Sequence, residues 1–240
     1  MDANGRKAFW DALLNVKLDN PQSIEALRQA ATPPRLLCRF RPVSENSLLQ
    51  LQENKLYYSS ADYYDDPFDT YFYIDLTNLK RFVETLKQLL AGKNESIICR
   101  NCPSGQHPPQ FYPVFYSDER YDASRFALIC WLIQNDNWKT LPPIAQQCIM
   151  NNVAWEVERI SLIKKKCHKY DQEWRMIRPQ IAPGRTYVKM RPCTVITGLR
   201  MPEYQRRLVR SAAKVAGISD IREMYIDDSD RLNSRPTKEE

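Results

Sequence analysis

The decisive stretch of the chain is Leu56-Tyr57-Tyr58-Ser59-Ser60-Ala61-Asp62-Tyr63-Tyr64-Asp65-Asp66-Pro67-Phe68-Asp69. Its first residues have the apolar and aromatic composition of a short strand, and they lead to two adjacent hydroxyls. A turn follows with three carboxylates around a proline, although a chain reversal needs only one Asp, Asn or Gly. Neighbouring carboxylates repel one another unless they cap backbone N–H groups or meet a cation or a substrate. The turn therefore predicts either local capping or a ligand site.

Length and composition predict a globular protein. The chain has 240 residues, of which 43% are hydrophobic, and this is enough for a sizeable core. No apolar run approaches the roughly 20 residues that a membrane span needs, so we expect no membrane contact. Residues 1–6 lack the apolar centre of a secretory signal. The net charge of +6 favours an anionic ligand.

The numbers and positions of cysteine and glycine further limit the cellular location and the kind of nucleotide site that the sequence predicts. The seven cysteines are an odd number and stand mostly among apolar neighbours, which favours reduced thiols and a cytoplasmic location. The six glycines lie far apart in the chain. Phosphate loops of the Walker and Rossmann kinds need clustered glycines, so the sequence excludes both.

Periodicity and helix breakers divide the chain into three parts. Residues 1–34 predict an N-terminal helical appendage, and residues 229–240 predict a disordered tail. Residues 35–228 predict a single α+β domain with mixed or antiparallel sheets and inserted helices. Within it, residues 36–41 predict a strand with Arg39 and Arg41 on one face and Phe40 in the core. Further strands are predicted at residues 174–177, 186–190, 195–199 and 221–226, and helices at 76–91, 143–165 and 202–216.

Four motifs of this domain occur in a familiar order: Cys38-Arg-Phe-Arg41, Leu56-Tyr-Tyr-Ser-Ser60, Asp65-Asp-Pro-Phe-Asp69 and Tyr170-Asp-Gln-Glu-Trp-Arg175. The order resembles the bacterial family catalogued as domain of unknown function 2971 (DUF2971), over about residues 35–228. Two positions depart from the family's pattern, because Asp65 and Asp171 stand where it usually has Asn and Glu. Its "Cys-Phe-Ser" strand and "Trp-x-His-Tyr" stretch have no clear counterpart between Ser96 and Phe111. The resemblance implies no activity, because the family has no settled biochemistry.

The order of Arg, Ser and Glu on successive strands also resembles that of ADP-ribosyltransferases. This resemblance implies that Arg41 or Arg39 holds the pyrophosphate of NAD and that Ser59 or Ser60 supports the nicotinamide-ribose pocket. It further implies that Glu173 stabilises the positive charge of an oxocarbenium-like transition state. A guanidinium suits a pyrophosphate because it binds bidentately, and a developing cation needs a preorganised carboxylate.

The same hypothesis assigns three further residues. Asp171 shares a strand face with Glu173 if the strand begins at Tyr170, which is the paired acidic motif of arginine-directed transferases. Tyr64 and Asp66 of the turn complete the predicted cofactor contacts. We therefore expect an enzyme that uses NAD as substrate, either as an ADP-ribosyltransferase or as an NAD glycohydrolase, in a toxin or defence effector. Its protein or nucleic-acid acceptor stays open.

The hypothesis makes a geometric prediction and leaves a structural alternative. Arg41, Ser59 and Glu173 should line one cleft that is roofed by the turn at residues 63–69. An Arg and a Glu at strand positions are costly to bury unless they pair or face a solvated pocket. The alternative is therefore a buried salt bridge between Glu173 and Arg41 that has no catalytic role.

Other functions stay open as alternatives. Asp65, Asp66 and Asp69 would bind Mg²⁺ in a nuclease whose basic run at residues 164–166 faces the scissile phosphate. A non-catalytic nucleotide-binding or nucleic-acid-binding module would instead stack bases on six tyrosines, at positions 57, 58, 63, 64, 71 and 73. An incomplete zinc pattern joins Cys99, Cys102 and His107 to Cys167-His168, and because its second pair is adjacent we predict no metal.

A basic helix face offers a secondary partner site. Four cations lie along one side of the predicted helix at residues 202–216: Arg206, Arg207, Arg210 and Lys214. A solvated face is the default interpretation of such a pattern, and a weak contact with RNA or DNA is the alternative.

Overall fold

The computed structural model describes residues 1–15, 21–58, 69–91, 111–134, 138–139, 141, 143–177 and 187–237. Its helices are α1 (Ala3–Leu14), α2 (Pro21–Ala30), α3 (Glu45–Gln52), α4 (Leu76–Ala91), α5 (Ser124–Gln134), α6 (Pro143–Leu162) and α7 (Glu203–Val215). Its strands are β1 (Lys55–Tyr57), β2 (Phe72–Tyr73), β3 (Phe111–Pro113), β4 (Phe115–Ser117), β5 (Tyr121–Asp122), β6 (Ile163–Lys165), β7 (Trp174–Met176), β8 (Tyr187–Lys189), β9 (Thr194–Thr197), β10 (Asp220–Ile226) and β11 (Leu232–Pro236).

The fold is α+β, with small antiparallel and parallel sheets. The chain divides into two compact units. Unit 1 comprises Met1–Leu37 and Tyr64–Gln180, and unit 2 comprises Cys38–Tyr63 and Ile181–Glu240. None of the described helices combines the length and hydropathy that a membrane crossing needs.

The strands of unit 1 are short and aromatic, as the β propensity of Phe and Tyr favours. β4 pairs in parallel with β6, and β3 pairs in antiparallel with β7. Tyr71 donates its N–H to the carbonyl of Ile163 at 3.1 Å, and β2 pairs in parallel with β5. These pairings bring the segment around residue 69 beside β6, and β7 beside β3.

Helix α1 supplies the centre of the unit 1 core. Asp2 caps the helix by accepting from the N–H of Gly5 at 2.8 Å. The apolar stripe formed by Phe9, Trp10 and Leu13 is buried, and Trp10 stacks on Phe115 with ring centroids 5.1 Å apart. Residues 1–34 were predicted to form an appendage, but the structure places them in unit 1, because a stripe with this much aromatic surface is stabilised by burial.

Unit 2 is built on a three-stranded sheet of order β11–β10–β9, in which β9 and β10 are parallel and β10 and β11 antiparallel. Helix α7 packs against α3 and β9, and β1 pairs in antiparallel with β8. Ser44 and Ser47 form a capping box at the start of α3. Gly217, with φ of 72°, ends α7, and the N–H of Ile218 donates back to the carbonyl of Ala213 at 2.9 Å. This left-handed position favours glycine.

Three sequence predictions differ from the structure. Residues 36–41 form no strand, and the side chain of Phe40 is 85% exposed. Pro34 and Pro42 flank the segment and lack the N–H groups that a strand ladder needs. The region 35–228, predicted as one domain, is divided between the two units. The tail from residue 229, predicted as disordered, contains β11, because its backbone pairs with β10 along the whole strand.

Helix α6 carries two buried acids with opposite environments. The carboxylate of Glu156 accepts from Arg159 Nη1 and from the hydroxyl of Tyr121, both at 2.7 Å. Glu158 is equally buried, but neither of its carboxylate oxygens accepts a hydrogen bond from any residue that the structure describes. Burial raises the pKa of Glu158 to about 8, and the nearby Arg159 offsets only part of the shift.

This contrast predicts a pH-dependent stability defect that Glu158→Gln removes. The pKa of Glu158 in the folded state lies above 4.5, so the unfolded state loses its proton first and the unfolding free energy falls as pH rises from about 4.5 to about 8. The full penalty, on the order of 5 kcal/mol, is present above pH 8. We expect the variant to melt higher than the wild type at pH 8.5 and close to it at pH 5.

Thermal denaturation at the two pH values measures the effect, and Glu156→Gln is the matched control. That variant should lower the melting temperature, since it weakens satisfied bonds to Arg159 and Tyr121. A melting difference between wild type and Glu158→Gln that is equal at pH 5 and pH 8.5 would contradict the prediction.

Candidate functional site

Five charged side chains of unit 1 form one network, which we call the charge cluster: Asp69, Lys164, Asp171, Glu173 and Arg175. Arg175 binds Glu173 through two nitrogens, with Nε 2.7 Å from Oε1 and Nη2 3.1 Å from Oε2. Its Nη2 also lies 2.6 Å from Asp69 Oδ1, and its Nη1 donates to the carbonyl of Ser161 at 2.8 Å. One guanidinium thus holds three segments of the chain together.

Lys164 is the second cation of the charge cluster. Its Nζ lies 3.2 Å from Asp171 Oδ2, 3.3 Å from Asp69 Oδ1 and 3.6 Å from Glu173 Oε2. Burial alone would lower the pKa of Lys164, but Glu173, Asp69 and Asp171 together raise it. The same balance acts on Arg175, where burial is outweighed by Glu173 and Asp69 and the pKa is raised. Both groups therefore stay charged at neutral pH.

The charge cluster has an inner and an outer layer. The two cations and Asp69 are nearly covered, with 9 to 13% of each side chain exposed. Asp171 and Glu173 form the outer layer, with 33% and 32% exposed. Three carboxylates against two cations leave these five side chains with one net negative charge. The accessible groups of the charge cluster are therefore carboxylates.

Glu173 is fixed through its backbone as well as its carboxylate. Its N–H donates to the hydroxyl of Tyr116 at 2.8 Å, and its carbonyl accepts from the N–H of Val114 at 3.0 Å. The carbonyl also accepts from Nη1 of Arg6 at 2.9 Å, and the same nitrogen reaches the carbonyl of Val114 at 2.8 Å. Arg6 is buried, and the rings of Tyr116 and Trp174 lie 5.7 Å from its guanidinium carbon. Glu173 is thus an ordered but accessible carboxylate.

The local backbone explains how Asp171 joins this carboxylate. The strand was expected to begin at Tyr170, but Lys166–Asp171 forms a 3-10 helix and β7 begins at Trp174. Gln172 between them is left-handed, with φ of 47°. Asp171 and Glu173 are therefore not placed together by strand alternation. Both meet the same Nζ of Lys164, and this ion pairing brings the two predicted acidic residues together.

The two predicted arginines lie in unit 2, in the irregular segment at residues 38–43. Neither Arg39 nor Arg41 has an ion pair or hydrogen bond to any residue that the structure describes. The side chain of Arg39 is in contact with solvent, but protein atoms also surround part of it. This partial burial, together with the charge of Arg41, lowers the pKa of Arg39 to about 10. Burial also lowers the pKa of Arg41. A buried salt bridge between Glu173 and Arg41 was the alternative prediction. In the structure the cationic partners of Glu173 are instead Arg175 and Lys164.

Several predicted residues lie outside the described residues: Ser59, Ser60, Tyr63, Tyr64, Asp65, Asp66, Cys99, Cys102 and His107. The predicted cleft that joins Arg41, Ser59 and Glu173 therefore stays a prediction. Of the proposed nuclease carboxylates only Asp69 is described, and it contacts Lys164 and Arg175. In the described part of the chain, no group of three His, Cys, Asp or Glu side chains is placed to hold a metal ion.

The four cations of α7 do not act alike. Arg206 is half-buried, lies 3.1 Å from Glu223 and donates to the carbonyls of Met201 and Leu199. Arg210 lies 2.6 Å from Glu203 and is likewise half-buried. Arg207 and Lys214 are the two exposed members of the set. The helix face is therefore partly structural.

Comparison with family models, with curated proteins and with solved structures returned no match. The resemblance to the domain of unknown function 2971 stays a prediction.

Sequence reasoning missed two residues that organise the charge cluster. Arg175 stands two positions after Glu173, and residues two apart share a strand face, so this pairing was available from the sequence. Arg6 gave no such signal, because its partners are backbone carbonyls 108 and 167 residues away.

The charge cluster predicts an unusually strong dependence of stability on Arg175. Arg175→Met should lower the unfolding free energy by about 3 to 5 kcal/mol, because it leaves Asp69 and Glu173 partly buried without their main cation. The unfolding free energy of Arg175→Lys should lie between that of Arg175→Met and that of the wild type, because an ammonium cannot bind bidentately.

Denaturant unfolding measures both variants, with Arg207→Met as the control for loss of an exposed arginine. Arg207 is 3.7 Å from Glu203 on the surface of α7, so its loss should change stability by less than about 0.5 kcal/mol. Equal effects of Arg175→Met and Arg207→Met would contradict a structural role for the charge cluster.

Proposed function

We propose that the protein is an NAD-consuming enzyme of the ADP-ribosyltransferase kind, with Glu173 as the carboxylate that stabilises the transition state. The observation that carries the proposal is the fixed position of Glu173. Five groups hold its backbone and carboxylate, while a third of its side chain stays open to solvent. A preorganised acceptor of this kind is what a developing positive charge requires.

The chemistry that we assign to Glu173 is electrostatic. The bond between the ribose carbon and the nicotinamide nitrogen breaks, nicotinamide leaves with the bonding electrons, and the ribose becomes oxocarbenium-like. An acceptor hydroxyl, amine or water then attacks the same carbon and loses a proton. Arg175 and Lys164 do not use up the acceptor capacity of the Glu173 carboxylate, which offers about four lone-pair positions. The carboxylate therefore keeps capacity for a ribose hydroxyl and for the charge that develops.

Asp171 has a separate role in the proposal. It is the other accessible carboxylate of the charge cluster, and Lys164 holds it beside Glu173. We assign it to the acceptor, whose nucleophile it would orient as the proton is lost. Lys164 is then a positioning residue, because it acts through the two carboxylates and not on the substrate.

Arg39 and Arg41 support the pyrophosphate half of the proposal. Burial lowers the pKa of both guanidiniums, and the neighbouring charge of Arg41 lowers the pKa of Arg39 further. Within the described residues neither has a carboxylate partner. An anion bound by both would relieve the repulsion and the loss of hydration. A pyrophosphate supplies that charge in a form that a guanidinium binds with two parallel hydrogen bonds.

The first prediction of this proposal concerns Glu173. Glu173→Gln should lower NAD turnover by roughly 100-fold or more, because an amide lacks the charge that faces the oxocarbenium-like state. Nicotinamide release and label transfer from NAD to lysate proteins measure the turnover. The control is Glu119→Gln, an exposed glutamate of the same unit, which should keep wild-type activity. Absence of both activities in the wild type, or full activity of Glu173→Gln, would end the proposal.

The second prediction concerns Arg39 and Arg41. The double variant Arg39→Gln/Arg41→Gln should weaken NAD binding by roughly 10- to 100-fold, since each charge-assisted hydrogen bond contributes about 1.5 to 3 kcal/mol. Calorimetry in the Glu173→Gln background separates binding from turnover. Arg35→Gln, which removes an exposed cation four residues before Arg39, is the control. An unchanged affinity for NAD in the double variant would contradict the assignment of the pyrophosphate.

A further inference from the structure

Helix α7 presents an apolar stripe on its outward face. Tyr204, Leu208 and Val215 are 64%, 49% and 68% exposed, and Ser211 between them is exposed as well. Amphipathic surface helices place polar residues on such a face. Isolated exposed apolar residues are common, but three of them on one face of a single helix indicate an interaction surface.

The fold of unit 2 does not need this stripe. The opposite face of α7 already packs inward through Val209, Ala212 and Ala213. The helix is fixed at its start by the bonds of Arg206 to Glu223 and to two carbonyls, and it ends at Gly217. Exposed apolar area on a helix that is already anchored contributes little to folding and is available to a partner.

The spacing of the stripe fits a helical partner. The positions 204, 208, 211 and 215 are separated by four, three and four residues. This is the alternation of the a and d positions in a helical pair, in which side chains of each helix insert between those of the other. Amphipathic helices are recognised through anchors at this spacing.

The charges beside the stripe indicate an acidic partner. Arg207 and Lys214 each stand one position before an apolar residue of the stripe, so they line the same flank of it. Lys214 has no ion partner among the described residues, and Arg207 has only a contact of 3.7 Å with Glu203. Glu203 is itself bound more closely by Arg210, at 2.6 Å. The flank therefore presents positive charge without a matching negative charge.

Two other occupants fit less well. An antiparallel second copy of α7 would set this flank against itself and oppose Arg207 and Lys214 to like charges. A nucleic acid would meet the two cations but leave Leu208 and Val215 in water, because backbone phosphates offer no apolar surface. We infer that the outward face of α7 docks an amphipathic helix of another protein, whose acidic residues lie opposite Arg207 and Lys214.

A synthetic helix tests the inference. The probe is a peptide of about three heptads with Leu at a and d and Glu at the flanking positions, and the control peptide carries Lys at those positions. Fluorescence anisotropy with the full chain should show binding of the acidic peptide only. Leu208→Ser should weaken it at least tenfold, and so should Arg207→Glu/Lys214→Glu. Leu232→Ser, an exposed leucine on β11, is the matched control and should bind like the wild type.

Four results would overturn the inference. The first is that the wild type does not bind the acidic peptide even at about millimolar concentration. A dissociation constant of that size corresponds to only about 4 kcal/mol of binding free energy. Equal binding of the acidic and basic peptides is the second. Concentration-dependent self-association that Leu208→Ser abolishes would instead assign the surface to a second copy. Binding of duplex DNA or RNA that depends on Arg207 and Lys214 but not on Leu208 would assign it to nucleic acid.

Discussion

The burial of Arg175 is the constraint on which the arrangement of unit 1 depends. A guanidinium that is nine-tenths covered must meet carboxylates and carbonyls with good geometry, or the unit loses more free energy by desolvation than it gains by packing. Asp69, Glu173 and the carbonyl of Ser161 supply those partners from three separate segments. The relative register of these segments is therefore fixed by one side chain. Lys164 reinforces the same register, because it contacts two of the same carboxylates from β6.

Buried charges also join the helices to this framework. Arg6 of α1 donates to two carbonyls, one of which belongs to Glu173, so the N-terminal helix and the charge cluster are coupled through a single residue. Arg159 of α6 donates to the carbonyl of Leu13 and to Glu156. Glu158 breaks the pattern, because its carboxylate is covered and has no hydrogen-bond partner in the described part of the chain. The unit thus combines ionic contacts that have close partners with one buried acid that is favoured in its neutral form, and the contribution of that acid to stability falls as pH rises.

Apolar periodicity in the sequence predicted the positions of individual helices and strands, but it did not predict the contacts between them. Leu76–Ala91 has its predicted bounds, and the late strands β7 to β10 lie close to their predicted positions. The segment at residues 36–41 has the same alternation, yet it forms no strand, since alternation says nothing about whether a partner strand is available. Glu173 was recognised from its motif. Its real cation, Arg175, belonged to the same motif and followed from the two-residue repeat of a strand, whereas Arg6 depends on tertiary contacts that no local pattern reports.

The charge balance of the cluster bears on the choice between the candidate functions. Its five side chains carry one net negative charge, and its accessible members are the carboxylates Asp171 and Glu173. Such a surface attracts a group that becomes positive and repels a phosphate that approaches without a metal ion. Its two cations are covered and already engaged by carboxylates, so they are poorly placed to receive a scissile phosphate. An oxocarbenium-like state therefore suits the cluster better than a phosphodiester does.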